Sequence, residues 1–225
     1  FISAIEGPQT GRTGELVELP LAAAMQKAGV PGMSVAVIRD FEIHWSKGYG
    51  VADVVSGDTA TADTLFQAAS ISKPVAAMAV LKAVQDGKFT LDQDVNTILT
   101  SWKVPASEHT ARQPVTLRGL LSHTSGTDDG FGFPGYKPSA PLPTLVQILN
   151  GEPPSNVGKV LVARPPLTAV KYSGGGITLA QLLMTDAIKR PFPDHMRDTV
   201  LAPIGMRHSA YQQPLSAERD RTAAR

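Results

Sequence analysis

Ser70 and Lys73 place a hydroxyl and an amine three residues apart, just ahead of the apolar run Pro74-Val75-Ala76-Ala77-Met78-Ala79-Val80-Leu81. Residues i and i+3 share one face of a helix, so the two groups meet if a helix opens here. Pro74 indicates that one does, because proline is tolerated in a first turn, where amide N–H groups lack partners anyway, and seldom further in. The pattern predicts a helix from near Ser70 toward Gly87, which suits a C-terminal cap. A serine at such a start can serve as nucleophile, since the positive end of the helix dipole favours developing negative charge and free backbone N–H groups can receive an oxyanion. Lysine is the base that the spacing offers, provided that burial among the alanines and Ile71 disfavours its charged form. For an isolated Ser-x-x-Lys the plainer reading is a helix-capping serine beside a solvated lysine, so other residues have to decide.

Two further segments bear on it. Thr116-Leu117-Arg118-Gly119-Leu120-Leu121-Ser122-His123-Thr124-Ser125-Gly126 reads as a short amphipathic helix stopped by a polar turn. Tyr172-Ser173-Gly174-Gly175-Gly176 follows an extended stretch and precedes a helical pattern from Ile177 to Lys189. In order and spacing, these three segments resemble the serine β-lactamase and penicillin-binding-protein superfamily, in its branch of class C β-lactamases, D-aminopeptidases and family VIII esterases. The flanks Pro31-Gly32-Met33-Ser34-Val35-Ala36-Val37-Ile38, Gly48-Tyr49-Gly50-Val51-Ala52-Asp53 and Leu201-Ala202-Pro203-Ile204-Gly205-Met206 resemble the same branch, and the likeness runs over about residues 20 to 215.

The resemblance implies that Ser70 is the nucleophile, Lys73 the base, and Tyr172 an acid/base partner near Ser70 and the leaving group, with Ser173 and Gly174 at the substrate. Gly174 stands where the family's Tyr-x-Asn motif carries asparagine, so the amide that holds a substrate's acylamino carbonyl is missing and discrimination for that group should fall. Efficient β-lactam turnover is therefore not expected, whereas hydrolysis of esters or small amides stays open. The family's third motif, Lys-Thr-Gly or His/Trp-x-Gly, has no counterpart after Tyr172; His208-Ser209-Ala210 has the first residue and lacks the glycine. The resemblance thus covers the front part of a catalytic domain, and the remainder is expected to be a second chain or absent.

The residues that must position this chemistry point to an α/β (α+β) protein of β-lactamase/transpeptidase-like fold, in which helices and a helical domain accompany an antiparallel sheet. Alternation in Met33-Ser34-Val35-Ala36-Val37-Ile38 predicts a strand over Gly32 to Ile38, joined through a turn near Arg39-Asp40-Phe41 to a second strand from Glu42 to Val51. Two strands alone are marginal in water. The sheet is therefore incomplete in this chain, and the expected partner is a missing C-terminal segment or a second chain that adds strands. The expected division is residues 1–66 as the N-terminal part of the α/β domain, 67–200 as a mainly helical domain with Ser-x-x-Lys and the Tyr-Ser-Gly loop, and 201–225 as the return. Shorter helices are expected to start in Leu91 to Trp102, with Asp92 and Asp94 in the first turn, and over Leu142 to Asn150 and Phe192 to Val200. Glu218 to Arg225 reads as an exposed tail.

Composition excludes several classes of function. The chain has 225 residues, 42% of them hydrophobic and 18% charged, which is ordinary for a globular protein. A net charge of +1 leaves no basic footprint for nucleic acid. Zero cysteines exclude disulfides, thiol nucleophiles and thiolate metal sites. No apolar run approaches the ~20 residues of a membrane span, and a periplasmic or secreted location rests on the resemblance alone. His44, His109, His123, His195 and His208 never approach metal-ligand spacing, so neither a metal nor a cofactor is expected. Gly130-Phe131-Gly132-Phe133-Pro134-Gly135 matches a dinucleotide-binding pattern without the strand and helix it requires. Without a Gly-x-Ser-x-Gly elbow, His123 is expected to bond a neighbouring loop backbone, and Asp128 and Asp129 to serve a turn. The expected activity is that of a serine hydrolase acting through an acyl-enzyme on esters, small peptides or amides, or β-lactams. The alternatives are a non-catalytic or regulatory member of the fold and a true class C-type β-lactamase.

Overall fold

The computed structural model describes residues 2–9, 14, 16, 18–128, 134–137 and 139–225. In chain order the elements are α1 (Ile2–Glu6), α2 (Leu21–Ala28), β1 (Gly32–Arg39), β2 (Glu42–Gly50), α3 (Ser72–Gln85), α4 (Leu117–Leu121), β3 (Thr127–Asp128), α5 (Leu145–Asn150), β4 (Leu161–Val162), α6 (Gly174–Ile188), α7 (Phe192–Met196) and α8 (Ala217–Asp220). They fall into two units, residues 1–68 with 212–225 and residues 69–211.

The first unit is built on the antiparallel pair β1 and β2, in which Gly32 faces Gly50 and Arg39 faces Glu42. Alternation decides it, because Met33, Val35 and Val37 share one face of the pleat. Asp40 and Phe41 both adopt positive φ, 52° and 65°, which is the turn whose twist suits two-residue hairpins. At the hairpin tip Ile38, Phe41 and Ile43 stand exposed. The C-terminal residues differ from the expected tail. Leu65 N–H donates to Thr222 O and Ala224 N–H to Leu65 O, each at 2.8 Å, and Arg225 N–H donates to Ala52 O at 2.7 Å. Glu218, Asp220, Arg221 and Arg225 are exposed, as the charges suggested, yet the backbone of residues 222, 224 and 225 finds partners in residues 52, 54 and 65, which no local pattern foretells.

The second unit is helical, with the two-stranded pair β3 and β4 as its sheet. Ala79, Val80 and Ala83 of α3 are buried with Leu117 and Leu120 of α4, Leu149 of α5 and Met196 of α7. The apolar stretch Leu179 to Met184 puts Leu179, Leu182, Leu183 and Met184 of α6 into the same core. A helix apolar on most sides is stable only when surrounded, and each fully buried leucine contributes about 2 kcal/mol.

The helix termini follow the polar residues. Ser173 caps α6, its Oγ accepting from Gly176 N–H at 2.9 Å, so the three glycines form the first turn and the helix begins before Ile177. Thr144 and Gln147 form a reciprocal capping box, which places the start of α5 after Pro143. Gly87, at φ 71°, ends α3 with a bond from Lys88 N–H to Ala83 O. After α7 the chain continues as a π-turn over Arg197–Leu201.

The stretch Leu91 to Trp102 departs from the expected helix and contains only the 3-10 turn Val95–Thr97. Asp94 Oδ1 accepts from Asn96 N–H at 2.9 Å, and the Asn96 side chain bonds Val104 at both its carbonyl and its N–H. Asp92 is drawn away to Arg118 at 2.6 Å. Short polar side chains that satisfy nearby backbone compete with helix propagation. Further along, the buried Asp186 of α6 accepts the N–H groups of Thr100 and Ser101 at 2.7 and 2.8 Å, which fixes this loop on the core.

Candidate active site

Ser70 lies in the 3-10 turn Ala69–Ile71 that runs directly into α3, with Lys73 in the first turn of the α-helix. Lys73 Nζ donates to Ser70 Oγ at 2.9 Å. Tyr172, 102 residues away in sequence, donates its phenol O–H to the same Oγ at 2.8 Å. The serine oxygen thus receives two hydrogen bonds from groups that can each carry or release a proton. Lys73 Nζ also sits 4.9 Å from the centre of the Tyr172 ring. Hydrogen bonding to Lys73, and then to Ser70, holds the Tyr172 phenol below its ordinary value of 10 despite some desolvation.

The surroundings are wetter than the sequence implied. Ile71 is 73% exposed, Ser70 is exposed and Lys73 is half-buried. Ala69 carries φ 45°, a left-handed conformation unusual for a residue with a side chain, directly before Ser70. Ala69 has no side-chain chemistry, so no sequence signal marked it.

Tyr172 is held through its neighbours. Lys171 N–H donates to His123 O at 2.8 Å, and Ser173 N–H donates to His123 Nδ1 at 3.3 Å. This is the loop-backbone role expected for His123. The sequence did not reveal that the imidazole also lies against the phenol, with ring centroids 4.5 Å apart and planes tilted by 36°. Nor did it reveal the buried hydroxyl chain in which Ser125 Oγ and Thr127 Oγ1 are 2.8 Å apart and Thr127 Oγ1 donates to Ser173 Oγ at 3.0 Å. That chain ties the Ser125-Gly126-Thr127 segment to the cap of α6. The serines and threonine were visible in the sequence, but their meeting bridges a sequence separation of 46.

Of the residues expected at the site, Ser70, Lys73 and Tyr172 converge. Ser173 is 1% exposed, and its hydroxyl is committed to α6 and Thr127, so it holds the helix start. Gly174 lines a cavity of about 300 Å³ together with Lys73, Ala77, Ile177, Gln181 and Phe192. Asp128 pairs with Arg164 at 3.0 Å. The glycine-rich pattern at residues 130–135 and the neighbouring Asp129 lie largely outside the described residues. Among the described residues no group of three or more His, Asp or Glu side chains is placed to hold a metal ion, and no helix is long and apolar enough to cross a membrane.

With that geometry in hand, the family model described as Beta-lactamase matches residues 20–225. The chain belongs to the β-lactamase family. Among its relatives is penicillin-binding protein 4 of Amycolatopsis lactamdurans, 29% identical over 194 residues, a match spanning 86% of this chain and 48% of that protein. The octameric penicillin-binding protein homologue of Pyrococcus abyssi superposes with a TM-score of 0.72 at 25% identity, covering 91% of this chain and 45% of that one. A D-amino acid amidase of Ochrobactrum anthropi SV3 superposes with a TM-score of 0.61 at 29% identity, over 81% of this chain and 48% of the amidase. These matches bear out the resemblance read from the three motifs, and the fold is β-lactamase/transpeptidase-like. The chain spans between 36 and 48% of the length of the curated relatives it matches. Within this β-lactamase-family chain, the position that follows Tyr172-Ser173 is a glycine, which gives the cavity wall no side chain at that point.

Proposed function

We propose that this β-lactamase-family chain carries the nucleophile, base and acid of a serine hydrolase that works through an acyl-enzyme. The observation that supports it most is the double hydrogen bond at Ser70 Oγ, from Lys73 Nζ at 2.9 Å and from Tyr172 O–H at 2.8 Å. Lys73, as the free amine, takes the hydroxyl proton while Oγ forms its bond to the substrate carbonyl carbon. The Ser70 backbone N–H supplies one donor to the resulting oxyanion. Collapse of that intermediate breaks the bond to the leaving group, which receives its proton through Tyr172. Water then attacks the acyl-Ser70 ester, one of the same two groups accepting its proton, and regenerates the serine.

The substrates proposed are esters, small peptides or other amides, and β-lactams. The bare Gly174 offers no side-chain amide to a substrate's acylamino group, which favours simple esters and amides over fast β-lactam turnover. Exposed Ile38, Phe41 and Ile43 at the tip of β1 and β2 are where further strands, from the rest of the protein or from a second chain, would add apolar cover.

The test uses the full-length protein. A fluorophosphonate should add its mass to Ser70, and Ser70→Ala should abolish both that adduct and nitrophenyl ester hydrolysis. Turnover that survives in Ser70→Ala, or an unlabelled serine with no turnover in the natural protein, would reject the reading; the second result would favour a non-catalytic member of the fold. Fast nitrocefin turnover would instead favour a β-lactamase proper.

A further inference from the structure

Resting on the acyl-enzyme reading above, we propose that His123 is a positioning residue for Tyr172, holding the phenol over Ser70 with its ring, its Nδ1 and its carbonyl oxygen. Three contacts carry the assignment. The His123 carbonyl accepts from Lys171 N–H at 2.8 Å, and His123 Nδ1 accepts from Ser173 N–H at 3.3 Å, so one residue grips the backbone on both sides of Tyr172. Its imidazole then covers one face of the phenol ring at 4.5 Å.

Tyr172 needs such restraint because it is 56% exposed. A tyrosine on a loop would lose rotamer freedom to reach one oxygen, and displacement of a reacting group by about 1 Å costs on the order of 100-fold in rate. His123 is itself held. It adopts φ 58°, and the next residue is pinned by Thr124 N–H donating to Gly119 O at 2.8 Å and by Thr124 O accepting from Leu167 N–H at 2.6 Å. A left-handed conformation is tolerated better by His and Asn than by most side chains, so this position favours a small set of residues. Accepting at Nδ1 also fixes the neutral tautomer, with the ring proton on Nε2. None of these contacts touches Ser70 or Lys73, so the nucleophile and its amine should stay paired when His123 is changed.

Three substitutions separate the contacts. His123→Ala removes ring and acceptor; His123→Phe keeps a ring; His123→Asn keeps a side-chain acceptor and suits the backbone. The readouts on the full-length protein are kcat and KM for a nitrophenyl ester, the melting temperature, and the ionisation of Tyr172 followed by tyrosinate absorbance against a Tyr172→Phe control. His123→Ala should lower kcat about 100-fold with KM changed less than about threefold, and should move Tyr172 ionisation up toward an ordinary phenol near pH ~10. His123→Asn and His123→Phe should each recover part of both effects. Unchanged Tyr172 ionisation in a folded His123→Ala protein would overturn the assignment, as would activity that follows the melting temperature alone. Should wild-type Ser70 refuse acylation, the acyl-enzyme reading fails, while the ionisation of Tyr172 across the same variants still decides whether His123 positions the phenol.

Discussion

Tyr172 O–H and Ser70 Oγ lie 2.8 Å apart, bridging a sequence separation of 102 residues at the start of α3. The phenol reaches this oxygen from the segment just before α6, whereas Lys73 reaches it from within α3 itself. One partner is therefore set by local helix geometry and the other by packing.

Removing the phenol while keeping its ring isolates the second partner. Tyr172→Phe should slow nitrophenyl ester hydrolysis by about 10²- to 10⁴-fold, the usual contribution of a placed acid or base, with fluorophosphonate labelling of Ser70 slowed but still detectable. Steady-state kinetics and intact mass check it. A rate within threefold of wild type would remove Tyr172 from the chemistry.

The hydrogen bond from Lys73 should be readable at Tyr172. The phenol is held below its ordinary value by hydrogen bonding to Lys73 first and to Ser70 second. In wild type, one tyrosine should therefore become tyrosinate at lower pH than the others as pH rises. Lys73→Met takes away the hydrogen-bonding amine, and the same tyrosine should then ionise at higher pH. Absorbance titration against Tyr172→Phe identifies the group.

Asp186 should contribute to the acid stability of the helical unit. Burial pushes its carboxyl up, but the bonds from Ser101 and Thr100 outweigh burial and hold it below 3.8. A carboxyl with a depressed folded value contributes stability that is full above the unfolded value and lost as pH falls through the folded one. Asp186→Ala leaves the Thr100 and Ser101 N–H groups unpaired and should cost about 2–4 kcal/mol at neutral pH. Asp186→Asn, which keeps an acceptor, should cost less and flatten the acid limb. Urea unfolding at neutral pH and near pH ~3 measures both.

His195 gives a second, milder acid dependence. Burial first, and then the Arg190 charge, hold its imidazole below 6.5 against the opposing pull of Asp198. The unfolded chain therefore takes up the proton more readily, and stability should be full above about pH 6.5 and decline as pH falls toward the folded value. In His195→Gln this part of the slope should vanish, with a side-chain carbonyl left to accept from Thr199, whose Oγ1 lies 3.2 Å from Nδ1 in the wild type. Melting temperatures between pH 5 and 8 provide the check.

Gly126 couples the turn beside His123 to the rest of the unit. It adopts φ +77°, and a Cβ there would come within 2.2 Å of Arg164 O, a backbone atom that has no flexible end to swing aside. Gly126→Ala should destabilise the protein by at least about 2 kcal/mol, from strain and overpacking together. It should also slow Ser70 labelling, because Gly126 O accepts from Ala163 N–H in the loop that leads on to Tyr172. Differential scanning calorimetry with labelling rates tests both.

Sequence alone determined whatever depends on near neighbours. Ser70 and Lys73 meet because residues three apart share a helix face, and Pro74 with Gly87 marks where that helix starts and stops. The β1–β2 hairpin follows from alternation, and the family follows from the order of three short motifs. Tertiary structure decided the rest. His123 against Tyr172, Thr127 against Ser173 and Asp186 against the loop at Thr100 are contacts whose partners no local period relates. The Leu91 to Trp102 stretch has the composition of a helix start, yet bonds from Asp94 and Asn96 hold it to a single 3-10 turn. Residues 222–225 have the composition of a tail and are held by the backbone of residues 52 and 65. Local propensity is worth tenths of a kcal/mol per residue, whereas leaving a buried polar group unpaired costs about 1–3, so the long-range partner wins wherever the two conflict.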